Sequence, residues 1–142
     1  QRELYTVLTN HTDQILAAIA EKSLKEVNYH CRWSGEWVVR LGDGTEESHL
    51  KMKTALENLW PYTGELFKAA DYEIAVGMDP SSLHTPWFNQ VEKVLHEATL
   101  SFSSTEHVFM HTGGKQGAHS EQLGFLLTEL QYMQRAYPGS NW

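Results

Sequence analysis

The sequence predicts an all-α fold. Two apolar stripes run at three- and four-residue steps through the long stretch from Thr12 to Leu41. Glycine or proline stands just where the main helical segments should stop, at Gly42, Pro61 and Pro138-Gly139. No segment alternates apolar and polar residues as a half-buried strand does.

The long stretch comes first, because everything after it can be read as packing against it. One stripe is Ile15, Ile19, Lys22, Glu26, His30, Trp33 and Trp37; the other is Leu16, Ala20, Leu24, Val27, Cys31, Val38 and Leu41. A helix with two such stripes is expected to be covered on more than one side. Lys22, Glu26 and His30 interrupt the first stripe, each one turn from the next, where a bundle core expects leucine. Ahead of this helix, residues 1–9 read as the last turns of an earlier one, with Leu4, Val7 and Leu8 on one side. Asn10 or Thr12 is the expected cap of the long helix, and Gly42 its left-handed terminator.

The second helix is expected from about Thr45 to Trp60, with Asp43 or Thr45 as cap, and Pro61 ends it. Tyr62 to Phe67 resume a turn or two. Residues 69–84, with Gly77, Pro80 and two serines, read as loop. Thr85-Pro86 opens a third helix to about Leu100, with Phe88, Val91, Val94, Leu95 and Ala98 inward. Residues 101–116 are irregular. The last helix, about Ala118 to Ala136, carries the stripe His119, Leu123, Leu126, Leu130, Met133 and Tyr137.

A chain of 142 residues suits a single domain over residues 1–142, and its net charge of −7 argues against a nucleic-acid partner. No apolar run reaches the length of a membrane span, and no signal peptide opens the chain. With Cys31 as its one cysteine, no internal disulfide is available and the cytoplasm is the expected compartment. The start at Gln1, directly in helix, reads as that of a fragment.

Inward Glu and His on a long helix bring a carboxylate-bridged di-iron bundle to mind, whose ligands include Glu-x-x-His pairs one turn apart. Glu26 and His30 are four apart, and Val27, which stands three before His30, cannot ligate. Glu46 and His49 have the right spacing but fall at a helix start, where acidic residues are expected in any case. The favoured reading of Lys22, Glu26 and His30 is therefore a buried, metal-free polar network; exposed i, i+4 pairs and a functional site are the alternatives. The glycine turn Thr112 to Gly117 invites an anion at Lys115, such as a coenzyme A phosphate. It is not a Walker loop, since Phe109 and Gln116 occupy positions that motif needs as Gly and Ser or Thr. A tight turn is the plainer reading. His119 reads as a core or interface histidine, and Trp33, Trp37, Trp60 and Trp87 as core or interface anchors. No Ser-His-Asp or Cys-His arrangement can be assembled, so no catalytic residue is assigned.

Residues 20–52, AEKSLKEVNYHCRWSGEWVVRLGDGTEESHLKM, together with LWPYTGELF (59–67) and TGGKQGAHSEQLGFLLTELQYMQRAYPG (112–139), closely resemble the C-subunit family of bacterial phenylacetyl-CoA epoxidases. The resemblance extends over essentially the whole chain but to the C-terminal part of the family's length. It implies the C-terminal portion of a ferritin-like helical bundle, four main helices here, without the family's N-terminal helices. It further implies a non-catalytic structural subunit of a multicomponent monooxygenase, paired with a catalytic A subunit that holds the di-iron centre and inserts oxygen into the ring of phenylacetyl-CoA. No cofactor is then expected on this chain. In the resemblance Val27 stands where metal-binding relatives carry Glu, which makes Glu26 and His30 candidates for a vestigial site. One departure is Gln122, where the family usually carries His after the Ser-Glu pair. Two other classes are an autonomous di-iron oxygenase or ferritin-like protein, and a coenzyme A-binding helical module using Lys115. Uncovered apolar stripes would also drive association, so a homo-oligomer is expected.

Overall fold

The computed structural model describes residues 1–101 and 109–141. Among these residues the secondary structure is helical, with no strand. The helices are α1 (Arg2–Leu8), α2 (Gln14–Gly42), α3 (Glu46–Leu59), α4 (Asp71–Ala75), α5 (His84–Glu97), α6 (Gln122–Leu130) and α7 (Tyr132–Ala136). The chain forms two compact units, 1–111 and 112–142, and the boundary falls at the glycine turn.

In the first unit α2 is the spine: its 29 residues extend roughly 44 Å at about 1.5 Å per residue. It starts at neither expected cap. Asp13 takes that role, its carboxylate accepting from the N–H groups of Ile15 at 2.8 Å and Leu16 at 3.2 Å. Asn10 and Thr12 lie too early, because His11 holds the turn: its ring accepts from the Asp13 N–H at 3.0 Å through Nδ1, which leaves Nε2 to donate to the Val76 carbonyl at 2.7 Å.

At its other end α2 runs through Gly42, whose φ is not left-handed. Close packing explains the glycine instead. A Cβ there would stand 2.5 Å from the Ala98 carbonyl oxygen and 2.8 Å from the Ala98 Cβ. The Gly42 carbonyl accepts from His49 Nδ1 at 2.7 Å, with the Thr99 hydroxyl at 3.4 Å, so three elements close on one glycine.

Thr45 caps α3, as expected, by accepting from the Ser48 N–H. The helix stops at Leu59, and Pro61 falls in the 3-10 turn that follows. Gly64–Phe67 form the expected extra turn. The stretch read as loop contains α4 and a 3-10 turn at Pro80–Leu83 that runs straight into α5. For that reason α5 begins at His84, ahead of the expected Thr85 cap.

Two small cores result. Leu8, Ala20, Met78 and Leu83 form one, with Leu4, Tyr5, Leu16 and Phe67 packed against it. Leu95, Ala98 and Leu100 form the other, flanked by Val38, Val39, Met52, Leu56 and Val91. Trp60 and Trp87 stack at 5.7 Å, half-buried, as anchors should.

In the second unit the last helix is shorter than expected and interrupted. It begins at Gln122 and is broken at Gln131. His119 precedes it, and of the expected stripe only Leu123 is even half-buried. Nothing in the structure explains the break at Gln131.

Candidate functional site

Most of the second stripe of α2 faces the packed elements: Ala20 and Val27 are buried and Leu16, Leu24 and Val38 half-buried, while Cys31 and Leu41 are exposed. All seven residues of the first stripe are exposed. Ile15 keeps 74 % of its surface, Ile19 55 % and Trp33 54 %. Within the first unit, α1, α3 and α5 meet α2 on the other side.

This corrects the expected buried network. Lys22, Glu26 and His30 are exposed, and no ion pair or hydrogen bond joins them among the described residues. The physical reason is simple: no element of the unit covers that side of α2. In water an i, i+4 pair gains only about 0.2–0.5 kcal/mol, too little to freeze two long side chains.

Aromatic and arginine side chains dominate the same side of the helix further along. Trp33 and Trp37 meet edge-to-face at 6.2 Å. The Arg40 guanidinium lies 5.5 Å from the Trp37 ring, and that of Arg32 5.7 Å from Tyr29. Trp, Tyr and Arg are the residues that carry most binding energy in protein interfaces. Chemically, this surface is suited to docking.

The donors do not fit a di-iron carboxylate centre. Among the described residues no three His, Cys, Asp or Glu side chains converge. Val27, in the position where Glu-x-x-His needs its carboxylate, is buried on the packed side. His49, the other candidate, has Nδ1 committed to the Gly42 carbonyl. Its role is to tie α3 to the end of α2, which the sequence did not disclose.

The glycine turn is also less hospitable to an anion than its sequence suggests. Gly113 and Gly117 take left-handed φ of +104° and +89°, with Lys115 in the 3-10 turn between them. The N–H groups of Gln116, Gly117 and Ala118 donate to the Gly113 and Gly114 carbonyls, so they do not point at a ligand. Nor does the turn abut a helix N-terminus: α6 begins at Gln122, and Glu121, an acidic residue, occupies its cap position.

A groove of about 750 Å³ opens between α1 and residues 75–78, lined by Val7, Leu8, Leu16, Val76 and Met78. Its His11 and Asp13 are both engaged in the backbone contacts that start α2. No sequence signal pointed to His11, because its partner lies 65 residues away.

Known proteins match this chain along its length. A family model described as phenylacetic acid catabolic protein matches residues 1–142. The C subunit of the 1,2-phenylacetyl-CoA epoxidase of Escherichia coli (strain K12) is 42 % identical over 144 residues, which cover 98 % of this chain and 57 % of the relative. The chain thus spans a little over half the length of that curated relative.

Proposed function

Because this chain belongs to the phenylacetic acid catabolic protein family, with its ferritin-like helical fold, we propose that it serves as a non-catalytic, structural subunit of a phenylacetyl-CoA monooxygenase complex. The observation that carries the proposal is the 42 % identity to the C subunit of an epoxidase, sustained over nearly the whole chain. Two features of the chain support it. The Glu26, Val27, His30 set lacks the chemistry of a di-iron site, and the outward face of α2 has the composition of a docking surface.

In this reading the di-iron centre resides on a catalytic A-type subunit, and the present chain supports that subunit through exposed helix faces. The workplace is the cytoplasm, where acyl-CoA chemistry takes place; no described helix is long and apolar enough to cross a membrane. The chain also self-associates, since large apolar side chains left in water favour contact with another copy.

Co-expression with an A-type subunit tests the proposal. The expected result is a stable complex that oxygenates phenylacetyl-CoA, while this chain alone turns over nothing. Turnover by the chain alone, or failure of the two proteins to co-purify, would overturn it.

A further inference from the structure

Two helices end against each other at Gly42, and each end carries a feature that helix geometry alone does not require. Just past α5, Thr99 takes a left-handed φ of +57°, the one non-glycine residue to do so among the described residues. A β-branched side chain is strained there, in a position where glycine is the usual choice. At the end of α2, a Cβ on Gly42 would stand 3.2 Å from Leu100 Cδ1, besides colliding with Ala98. We propose that the ends of α2, α3 and α5 form a sprung clasp, which opens and closes as one unit about the Gly42 peptide.

Each contact of the clasp holds another in place. The turn at Thr99 brings the Leu100 N–H back to the Leu95 carbonyl at 2.9 Å and returns the Leu100 side chain to the core, 6 % exposed. Leu100 and Ala98 then seat on Gly42, and from α3 the His49 Nδ1–H donates to the Gly42 carbonyl at 2.7 Å. When that bond opens, the Gly42 peptide is free to shift and Leu100 loses its seat. Thr99 is then released from a conformation it does not favour. Its hydroxyl, 3.4 Å from the Gly42 carbonyl, is too distant to hold it there.

Backbone strain persists only where the surroundings over-determine it. The clasp therefore carries a bias towards opening, which the burial of Leu100 and the His49 bond oppose. The other core lies apart, since Leu8, Ala20, Met78 and Leu83 share no member with Leu95, Ala98 and Leu100. Opening at Gly42 leaves that core closed, as a local unfolding unit does.

Amide hydrogen exchange on the full chain tests the clasp at three reporters. Asp43 donates to Val39, Thr99 to His96 and Leu100 to Leu95, so the reporters lie at the ends of both α2 and α5. His49→Ala, a change made on α3, should quicken exchange at all three by about fivefold or more. His49→Asn, whose side-chain amide can donate from a similar place, should bring the rates back towards those of the wild type. Thr99→Gly relieves the strain and should slow the same three amides at least about twofold. The Ala17 amide, bonded to the Asp13 carbonyl at the start of α2, should not respond to any of these changes. If His49→Ala acts on α3 alone, or quickens Ala17 as much as the reporters, the clasp is not a unit and the proposal falls. Quickened exchange in Thr99→Gly would overturn the spring, because Thr99 would then be held by its side chain and not against strain.

Discussion

Along one side of α2, Leu16, Ala20, Leu24, Val27 and Val38 lie buried or half-buried, while along the other Ile15, Ile19, Trp33 and Trp37 stand exposed. The two sides belong to one helix and have similar periodicity, yet the tryptophans stand on the exposed side and the alanine on the packed one. Ala20 is 1 % exposed, and Gly42 sits where even a methyl group would collide with Ala98. Close approach of α1 and the Pro80–Leu83 turn at Ala20, and of the end of α5 at Gly42, selects small side chains, as packing at short distance does. Large apolar groups on the other side have no such neighbour in the unit. The lesson is that apolar periodicity marks a side as sticky, and side-chain size helps to tell which side the chain itself has used.

The contrast can be broken at several points, beginning where the effect is largest. Gly42→Ala should destabilise the chain by about 3 kcal/mol, since the rigid Ala98 carbonyl cannot give way. Urea unfolding measures it, and a loss below about 0.5 kcal/mol, the range of an ordinary surface substitution, would mean the packed side is looser than described.

Ala20→Leu and Ile19→Leu then compare the sides at adjacent positions. The first overfills a buried site and should cost about 1–3 kcal/mol. The second changes an exposed side chain and should stay within about 0.5 kcal/mol in dilute, monomeric protein. Equal losses in thermal melts would erase the distinction between the two sides.

Asp13→Ala removes the cap that starts both stripes, at an expected cost of about 1 kcal/mol. Amide hydrogen exchange should quicken in the first turn of α2 and leave the Gly42 end unchanged. Protection lost along the whole helix would mean that the two ends are not independently anchored.

The smallest effect lies off both stripes. Asp79 accepts from the Ser81 backbone N–H at 2.9 Å, and that bond, with the Ser81 hydroxyl, holds its carboxyl below the usual range. A pKa depressed in the folded state contributes stability above the unfolded pKa, and the contribution is lost as pH falls through the folded one. Because the group is solvent-exposed, the wild-type and Asp79→Asn unfolding midpoints should diverge only slightly from acid to neutral pH. A large divergence would reveal a coupling to the packed side that the structure does not contain.

Local signals in the sequence disclosed much of the fold. Thr45 and Pro61 set the ends of α3 because capping and ring geometry act within a few residues. The long helix was legible for the same reason. Gly42 was misread because a glycine after an apolar stripe usually marks a left-handed stop, whereas its cause here is Ala98, far off in sequence. The start of α5 was misplaced because Asp79 and Pro80 open a 3-10 turn that feeds the helix early. For the candidate site, the stripe and its three polar residues were visible, but their exposure was not. Periodicity records which residues share a side of a helix and is silent about what lies opposite. His11 and His49 were invisible as structural ties for a related reason: each binds a backbone carbonyl, which carries no sequence signature.

Where the iron resides tests the central claim most directly. Elemental analysis of the purified chain, alone and in complex with an A-type subunit, should find no stoichiometric iron in the first and iron in the second. Glu26→Ala and His30→Ala should leave the iron content of the complex unchanged. Stoichiometric iron in the chain alone, lost on either substitution, would contradict the structural-subunit account and make the outward face of α2 a metal site.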